Sequence, residues 1–287
     1  DAMHTLIQRG AEGARWERSA DMPELMYMLL TRRGVESSEA ARAFLYPDAA
    51  DLHDPLLLGG MAEAVERIKK ARDAGETVCV YGDYDVDGVC ATSILTLYFR
   101  ALGLNCVHYI PDRHAEGYGL NDAAMEKIAQ SATLLVTVDC GVSCAHEVET
   151  AKALGLDVIV TDHHRPGEIL PDCTVINPLL NDYPFPYLCG AGVAFKLVTA
   201  LGGLEEALSY VDLAALATVA DLVSLTDENR VIVSLGLQRI NREPRLGLRM
   251  MIERASLTGR ELSAGSIGFQ LAPRINASGR LGDARRA

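Results

Sequence analysis

The sequence predicts an α/β fold: a mostly parallel β-sheet with helices on both faces, preceded by N-terminal helices and followed by a helical C-terminal extension. Short apolar, β-branched segments alternate with helical patterns between about residues 78 and 176, which is typical of a parallel sheet covered on both sides. Helical periodicity alone precedes residue 58 and resumes after Gly190. Hydrophobic residues make up 49% of the 287-residue chain, which is enough to form a full core.

In chain order, helical patterns come first. Residues 22–32 form one predicted helix, and Ser37 begins a second that runs through Leu45 and is stopped by Pro47. A third helix over 61–74 ends at Gly75, a residue type favoured at helix C-termini. The predicted strands are 78–81, 106–110, 134–138, 157–161 and 174–176, and the later predicted helices are 89–102, 121–129, 145–154 and a helical region from 190 through about 220 and onward to 254.

These patterns divide the chain into three predicted parts. They are an N-terminal helical segment (1–58), an α/β domain (59–225) and a helical, arginine-rich connector (226–287). The chain begins without methionine and stops within a helical pattern, so we expect it to be a piece of a longer protein.

Charge and composition narrow the class of protein without identifying a partner. The net charge is −12, yet the segment from Arg239 onward holds ten arginines, no lysine and four acidic residues. Solvated helix faces give the same composition, so the charge leaves the partner open. No apolar run is long enough to span a bilayer, no secretory signal begins the chain, and the seven cysteines form no CxxC pair. We therefore expect reduced thiols, a cytoplasmic location and no membrane partner.

Acidic and imidazole side chains follow three of the predicted strands. Asp83, Asp85 and Asp87 come after the first strand, Asp139 after the third, and the run 162–164 (DHH) after the fourth. Ligands of open parallel sheets bind beyond the carboxyl ends of the strands, so these groups should converge on one crevice. Like charges gathered there need cations to neutralise them.

Other readings of the same residues were weighed. The first acidic loop resembles half of a calcium-binding EF-hand, but the required twelfth residue, a glutamate, is Ile94 here. A haloacid-dehalogenase-type phosphatase also carries DxD after its first strand, although it leaves the DHH run without a role. A single Asp at a strand end can also be only a helix N-cap. The three sites together favour a metal centre.

The residue types indicate which metal this centre would hold. Oxygen ligands with one or two imidazoles suit Mg²⁺ or Mn²⁺, and histidine favours Mn²⁺. The ligands outnumber what one ion needs, so we expect two divalent cations about 3.5–4 Å apart that share a carboxylate, the arrangement of phosphoryl-hydrolysing enzymes.

Longer motifs give a specific resemblance. The chain resembles the DHH phosphoesterase superfamily and, within it, the bacterial exonucleases that degrade single-stranded DNA. The motifs that carry the resemblance are 81–88 (YGDYDVDG), 116–120 (EGYGL), 137–141 (TVDCG), 161–164 (TDHH), 190–196 (GAGVAFK), 218–221 (TVAD) and 273–280 (PRINASGR).

The resemblance implies a role for each residue of the centre. Asp85 would hold one metal and Asp87 the other, with Asp139 bridging them. His163 and Asp221 would complete the second site, and Asp83 would be an outer ligand or an acceptor behind the ligands. His164 would lie near the scissile phosphate, with Asp162 orienting its neighbours, so that Asp139, His163, His164 and Asp162 form the expected catalytic set.

The remaining motifs are expected to handle the substrate. Arg113 would contact phosphate, Tyr118 would stack on a base, and the N–H groups at Gly190 would face phosphate. A turn with a packed aromatic is an equal reading for Tyr118, and a tight turn before a core helix is one for Gly190. The polar run near the end of the chain is expected to contact nucleic acid through Arg274, Asn276, Ser278 and Arg280.

The resemblance also implies an activity, stepwise release of 5′-mononucleotides from single-stranded DNA in repair and recombination, with a single-strand-binding protein and a helicase as partners. Family members of this type continue into a DHHA1-type domain and an oligonucleotide-binding fold. Two alternatives stay open: a phosphodiesterase for short oligonucleotides, cyclic dinucleotides or pyrophosphate, and a non-catalytic relative that binds DNA or replication proteins.

Overall fold

A computed structural model describes residues 16–113 and 115–281 of the chain, without the side chains of residues 279–281. The described residues fall into two compact units, one that ends at residue 52 and one that begins at residue 53. The described part of the arginine-rich segment after residue 225 lies in the same compact unit as the sheet. The helices on either side of residue 225 pack extensively against each other, which explains why no break occurs there.

The described part of the N-terminal unit is a small helical hairpin. Helix α1 (Glu24–Arg32) and helix α2 (Ser38–Leu45) enclose a core of Leu30, Val35 and Ala41. The side chain of Ser37 accepts a hydrogen bond from the Ala40 N–H and caps α2, as predicted.

The larger unit is built on a five-stranded sheet in the order β2-β1-β3-β4-β5, with every neighbouring pair parallel. The strands are rich in Val, Ile, Leu and Thr and are buried in the centre of the sheet, as expected where both faces are covered. The strands are β1 (Thr77–Tyr81), β2 (Asn105–Tyr109), β3 (Leu134–Val138), β4 (Asp157–Thr161) and β5 (Thr174–Ile176).

Helices cover both faces of this sheet, which confirms the predicted fold class. On one face helix α4 (Val86–Ala101) packs on β1, β2 and β3, while helix α7 (Gly190–Gly202) packs on β3 and β4. On the other face α5 and α6 close a core that includes Cys79, Leu135 and Val158. The helices of the larger unit are α3 (Met61–Asp73), α4 (Val86–Ala101), α5 (Asp122–Ile128), α6 (Ala145–Ala153), α7 (Gly190–Gly202), α8 (Leu204–Leu208), α9 (Val211–Ala220), α10 (Asp227–Arg242), α11 (Leu246–Arg254), α12 (Ala264–Ser266) and α13 (Ala272–Leu281), with a π-helical turn over Ile267–Leu271.

Helix α4 begins three residues earlier than the pattern predicts, at Val86 instead of residue 89. The cause is Asp85, whose carboxylate accepts a hydrogen bond from the Gly88 N–H and caps the helix there. Asp87 therefore lies inside the first helical turn. In the part of the chain that the structure describes, no helix combines the length and the apolar character needed to cross a bilayer.

Candidate metal centre at the carboxyl edge of the sheet

The strand order places a crevice where connections diverge. After β1 the chain crosses to β2 on one side, whereas β3 lies on the other side of β1. In doubly wound sheets this switch point is where ligands bind. The loops that follow β1, β3 and β4 all begin at this edge, and they carry the predicted acidic and imidazole groups.

The loop after β1 folds tightly against the start of α4. Asp83 is 4% exposed and Asp87 2% exposed, while Asp85 occupies the N-cap. A Cβ on Gly88 would lie 2.5–2.6 Å from the backbone of Asp83, so only glycine allows this close approach. The capping interpretation is therefore correct for one oxygen of Asp85, but it accounts for neither Asp83 nor Asp87.

Asp87 is held by the N-terminus of α7. Its two carboxylate oxygens accept hydrogen bonds from the Gly190 N–H at 2.6 Å and the Ala191 N–H at 2.7 Å. These donors were predicted to face a substrate phosphate. The structure corrects that prediction, because a buried carboxylate already occupies the positive end of the helix.

Asp139 has a backbone conformation that non-glycine residues rarely adopt. Its φ is 59°, in the left-handed region. Gly190 packs directly against it, since a Cβ there would lie 2.6 Å from the Asp139 Cβ. Strain of this kind persists where the surroundings fix it, often at functional sites. Here it turns the carboxylate into the crevice.

The loop after β4 is organised by Asp162, which is buried. Its carboxylate accepts hydrogen bonds from the N–H groups of His163 (2.7 Å), His164 (3.1 Å) and Val142 (2.9 Å). It also lies 2.8 Å from the His164 Nδ1. Asp162 thus fixes the backbone at both histidines and the ring of His164.

The predicted ligands converge in groups of three. Asp87, His163 and Asp221 form one group, and Asp83, Asp85 and Asp139 form another; in each, the candidate ligand atoms lie within 4.8 Å of one another. The His163 Nε2 lies 3.6 Å from Asp87 and 3.9 Å from Asp221 within its own group, and 3.1 Å from the Asp139 Oδ1 of the other group. Asp139 also groups with both histidines, so it occupies the position of a shared ligand.

Burial makes ionisation of these acids unfavourable. It raises the pKa of Asp83 and that of Asp221 to about 7 and that of Asp139 well above its ordinary value, and neighbouring carboxylates add to the rise. Burial likewise raises the pKa of Asp87, although the charge of His163 and the N–H groups of α7 oppose it. These carboxylates would be stabilised as anions by a divalent cation, whose binding displaces their protons.

The pKa values of the two histidines shift in opposite directions, because burial dominates at His163 and a hydrogen bond with a carboxylate dominates at His164. Burial lowers the pKa of His163 and favours the neutral imidazole, the form that binds metals. For His164, the hydrogen bond with Asp162 raises the pKa despite partial burial. Burial opposes ionisation of Asp162, yet its hydrogen bonds from His164 and Val142 outweigh that effect and lower its pKa. His163 is thus suited to coordination and His164 to carrying a proton.

Two carboxylate oxygens without hydrogen-bond partners indicate whether the residues of the crevice fit a cation. The Oδ1 atoms of Asp83 and Asp139 are buried and have no hydrogen-bond partner among the described residues. The His163 Nε2 is near the Asp139 oxygen, but its direction does not make a hydrogen bond. Buried carboxylate oxygens without donors are costly. Cations would satisfy them, and the donor set of oxygens with one or two imidazoles fits Mn²⁺ or Mg²⁺.

Three of the expected substrate residues line a cavity of about 300 Å³ beside the acids. Arg113 lies over the ring of Tyr84, 5.0 Å from its centroid. Tyr118 is 55% exposed, and its hydroxyl lies 3.4 Å from the His164 Nδ1. The Asn276 Oδ1 accepts a hydrogen bond from the Val86 N–H and so joins α13 to the start of α4.

Arg274 and Ser278, which belong to the same motif (273–280) as Asn276, do not line this cavity. Arg274 is exposed and donates to the carbonyl of Gln270 within its own turn. The Ser278 hydroxyl donates to the Ile275 carbonyl at 2.7 Å. The side chain of Arg280 lies outside the described residues. Contact of Arg274, Ser278 and Arg280 with nucleic acid stays a prediction.

Sequence reasoning missed Asn177, which is fully buried. Its amide donates to the His164 carbonyl at 2.9 Å, and its oxygen accepts from the Leu179 N–H. It directly follows β5. The signal used at the other strand ends, a polar residue immediately after a strand, was present and would have identified it.

Comparison with known proteins places this site in a family. Residues 77–222 match the DHH family, N-terminal domain. The single-stranded-DNA-specific exonuclease RecJ of Bacillus subtilis is 47% identical over 262 residues, which are 90% of this chain and 33% of that protein. The RecJ of Thermus thermophilus is 40% identical over 283 residues, covering 95% and 42% of the two chains.

Solved structures agree with this result. The chain superposes on the crystal structure of exonuclease RecJ bound to manganese with a TM-score of 0.76 and 39% identity, over 82% of this chain and 61% of the other. For RecJ of Thermus thermophilus in complex with Mn²⁺ the TM-score is 0.79 and the identity 34%, over 96% and 42%. The chain spans about a third to a half of the length of the curated relatives it matches. The resemblance predicted from the motifs is confirmed, and this chain belongs to the DHH family.

Proposed function

We propose that this chain carries the catalytic centre of a 5′→3′ exonuclease that hydrolyses phosphodiester bonds of single-stranded DNA in repair and recombination, with two Mn²⁺ or Mg²⁺ ions. The observation that carries the proposal is the convergence of two groups of three ligands, with Asp139 shared and two buried oxygens unsatisfied. The likeness to RecJ proteins, named for single-stranded DNA and solved with manganese, supports the substrate and the metal.

The ligand groups suggest how the ions would be held. Asp87, His163 and Asp221 would hold one ion, and Asp83 with Asp85 would hold the other, while Asp139 contacts both. When bound, such a pair activates water and neutralises charge on the phosphoryl oxygens. Asp85 can serve although it caps α4, because only one of its oxygens is used by the Gly88 N–H.

The chain's own groups would orient the phosphodiester. The Asp162 carboxylate lies 2.8 Å from the His164 Nδ1 and raises the pKa of this half-exposed imidazole, which favours a proton on it at the edge of the crevice. Such a group can donate to a phosphoryl oxygen. Tyr118 and Arg113 both line the adjacent cavity, which supports stacking of Tyr118 on a base and pairing of Arg113 with a phosphate.

The same family resemblance leads us to propose a single-strand-binding protein and a helicase as partners and the cytoplasm as the location. The cysteines support a reducing compartment, because all seven are free thiols and four of them have a pKa that burial raises well above the ordinary value or to about 12. Such thiols are poorly reactive.

The experiment compares release of mononucleotides from long single-stranded DNA by the wild type and by Asp139→Ala, with Mn²⁺ and with EDTA. We expect metal-dependent release from the 5′ end and a loss of about a thousandfold or more in the variant, the equivalent of several kcal/mol of transition-state stabilisation. Unchanged turnover in Asp139→Ala would contradict the proposal.

Substrate comparison separates the proposal from the alternative of a small-substrate phosphodiesterase. Dinucleotides, a cyclic dinucleotide and pyrophosphate are tested beside the long strand at equal concentrations. The proposal expects the long strand to give the highest kcat/KM. Preference for a dinucleotide or pyrophosphate would replace it with the alternative.

A further inference from the structure

Two consecutive buried residues at the start of α10, Glu228 and Asn229, are fully enclosed and lie outside the ligand groups. Their side chains make several hydrogen bonds to segments that lead into the centre. Buried polar groups need such partners. Here the partners belong to segments that carry or support the metal-ligand candidates.

Asn229 joins the two loops that deliver parts of one ligand group. Its amide donates to the Tyr187 carbonyl at 2.7 Å and to the Ser224 carbonyl at 2.9 Å. Tyr187 lies three residues before Gly190, whose N–H holds Asp87, and Ser224 lies three residues after Asp221. A single side chain therefore fixes the separation between the support of Asp87 and the ligand Asp221.

Glu228 fixes the body of α7 in the same way. One oxygen accepts from the Lys196 Nζ at 2.6 Å and from the His53 N–H at 3.1 Å, and the other accepts from the Tyr183 hydroxyl at 2.6 Å. Lys196 lies on α7, the helix whose N-terminus binds Asp87. A buried ion pair is often no more stabilising than apolar residues of the same shape, so its effect here is better sought in position than in stability.

The loop that Asn229 holds has an unusual backbone. Leu222, directly after Asp221, has a φ of 59°, and Asp227 has a φ of 46°. Conformations of this kind need surrounding contacts to persist. The hydrogen bond to the Ser224 carbonyl lies between these two residues and supplies such a contact.

We propose that Glu228 and Asn229 are positioning residues that set the geometry of the ion held by Asp87, His163 and Asp221. The inference rests on the proposed function, because it assumes that this group binds a cation. Partners behind metal ligands typically change metal affinity by about 10–100-fold. The effect should be largest at this ion, since Asn229 binds the loop that precedes Gly190 and the loop that follows Asp221.

Asn229→Asp is the most direct variant. It keeps the size of the side chain but turns an oxygen toward the Tyr187 and Ser224 carbonyls, which repels both. Asn241→Asp is the control on the same helix: the Asn241 amide also donates to a backbone carbonyl, that of Leu262 at 2.9 Å, but the residue is exposed and lies outside the ligand groups. Glu228→Gln, which preserves shape and one acceptor, provides a second variant if Asn229→Asp does not fold.

The measurement is Mn²⁺ binding by calorimetry, with the magnetic coupling of an ion pair read by electron paramagnetic resonance. We expect coupled ions in the wild type and in Asn241→Asp. In Asn229→Asp we expect one affinity to fall about tenfold or more and the coupling to be lost, with a smaller loss in Glu228→Gln. Wild-type binding in both variants, with coupling retained, overturns the inference alone. A wild type that binds no ion pair overturns the proposed function together with it.

Discussion

Glu228 and Asp139 are both buried carboxylates of the same compact unit, yet their surroundings differ completely. Each oxygen of Glu228 accepts at least one hydrogen bond, and the Lys196 ammonium balances its charge. Asp139 has an oxygen without a donor, carboxylates nearby and a strained backbone. The protein supplies hydrogen-bond donors and a counter-charge to Glu228, but it does not supply a donor to one oxygen of Asp139.

This difference separates structural from functional burial. Removing either member of a buried ion pair lowers the stability of the fold, because the remaining charge has no counter-charge. A buried charge without partners destabilises the fold through its desolvation cost. A site that contains such a charge is therefore a candidate for ligand binding. The free energy of unfolding of the metal-free protein should therefore respond in opposite ways to substitutions at the two positions.

The largest expected effect on stability is that of Glu228→Ala. It leaves the Lys196 ammonium buried without a counter-charge, and we expect the free energy of unfolding to fall by about 3–5 kcal/mol. Urea denaturation followed by circular dichroism measures it. The double variant Lys196→Met, Glu228→Leu should recover most of the loss, because it removes both charges. A loss below about 1 kcal/mol in the single variant would mean that the network is not structural.

Asp139→Asn should behave in the opposite way. Without metal we expect its free energy of unfolding to equal or exceed that of the wild type, because substitution removes a repelled, unsatisfied charge. At Mn²⁺ concentrations about 100 times Kd, the wild type should gain about 2.7 kcal/mol, and the variant much less. Thermal melts with and without Mn²⁺ measure both. Equal metal stabilisation in the two proteins would remove Asp139 from the centre.

Substitution of Tyr118 tests whether the exposed side of the crevice also binds a ligand. If its ring stacks on a base, Tyr118→Ala should weaken binding of single-stranded DNA by about 1–3 kcal/mol, while Tyr118→Phe should bind almost as the wild type does. Fluorescence anisotropy with Ca²⁺ in place of Mn²⁺ measures affinity without turnover. Unchanged affinity in Tyr118→Ala would restore the reading of a packed aromatic.

The smallest effect is expected at the opposite edge of the sheet, where Arg67 pairs with Glu76 at 2.8 Å and with Asp157 at 2.6 Å. The hydrogen bond from Arg67 lowers the pKa of Glu76 below its ordinary value of 4.5. A lowered folded-state pKa stabilises the fold above the ordinary value, and this contribution is lost as the pH falls through the lowered pKa. Glu76→Gln should thus cost up to about 1 kcal/mol at pH 7, and the difference should shrink below pH 4.5. A difference independent of pH would assign the effect to packing.

The strand ends could be predicted because parallel strands have a fixed direction. Residues that follow β1, β3 and β4 must emerge at one edge, so Asp85, Asp139 and His163 could be brought together without coordinates. The start of α4 was harder to locate, because the Asp and Gly residues before Val89 are weak helix formers.

Contacts between distant loops could not be predicted. The approach of Gly190 to Asp87 and the bridge made by Asn229 both depend on how α7 and α10 pack, which no local pattern encodes. The hydrogen bond from Arg274 to the Gln270 carbonyl likewise depends on the π-helical turn before α13, where the helix gains an extra residue and the register changes.

Anomalous diffraction from crystals of this chain grown with Mn²⁺ tests the central claim most directly. We predict two peaks about 3.5–4 Å apart, one coordinated by Asp87, His163 and Asp221 and the other by Asp83 or Asp85, with Asp139 touching both. A crevice without a manganese peak, or a single ion that does not contact Asp139, would contradict the account.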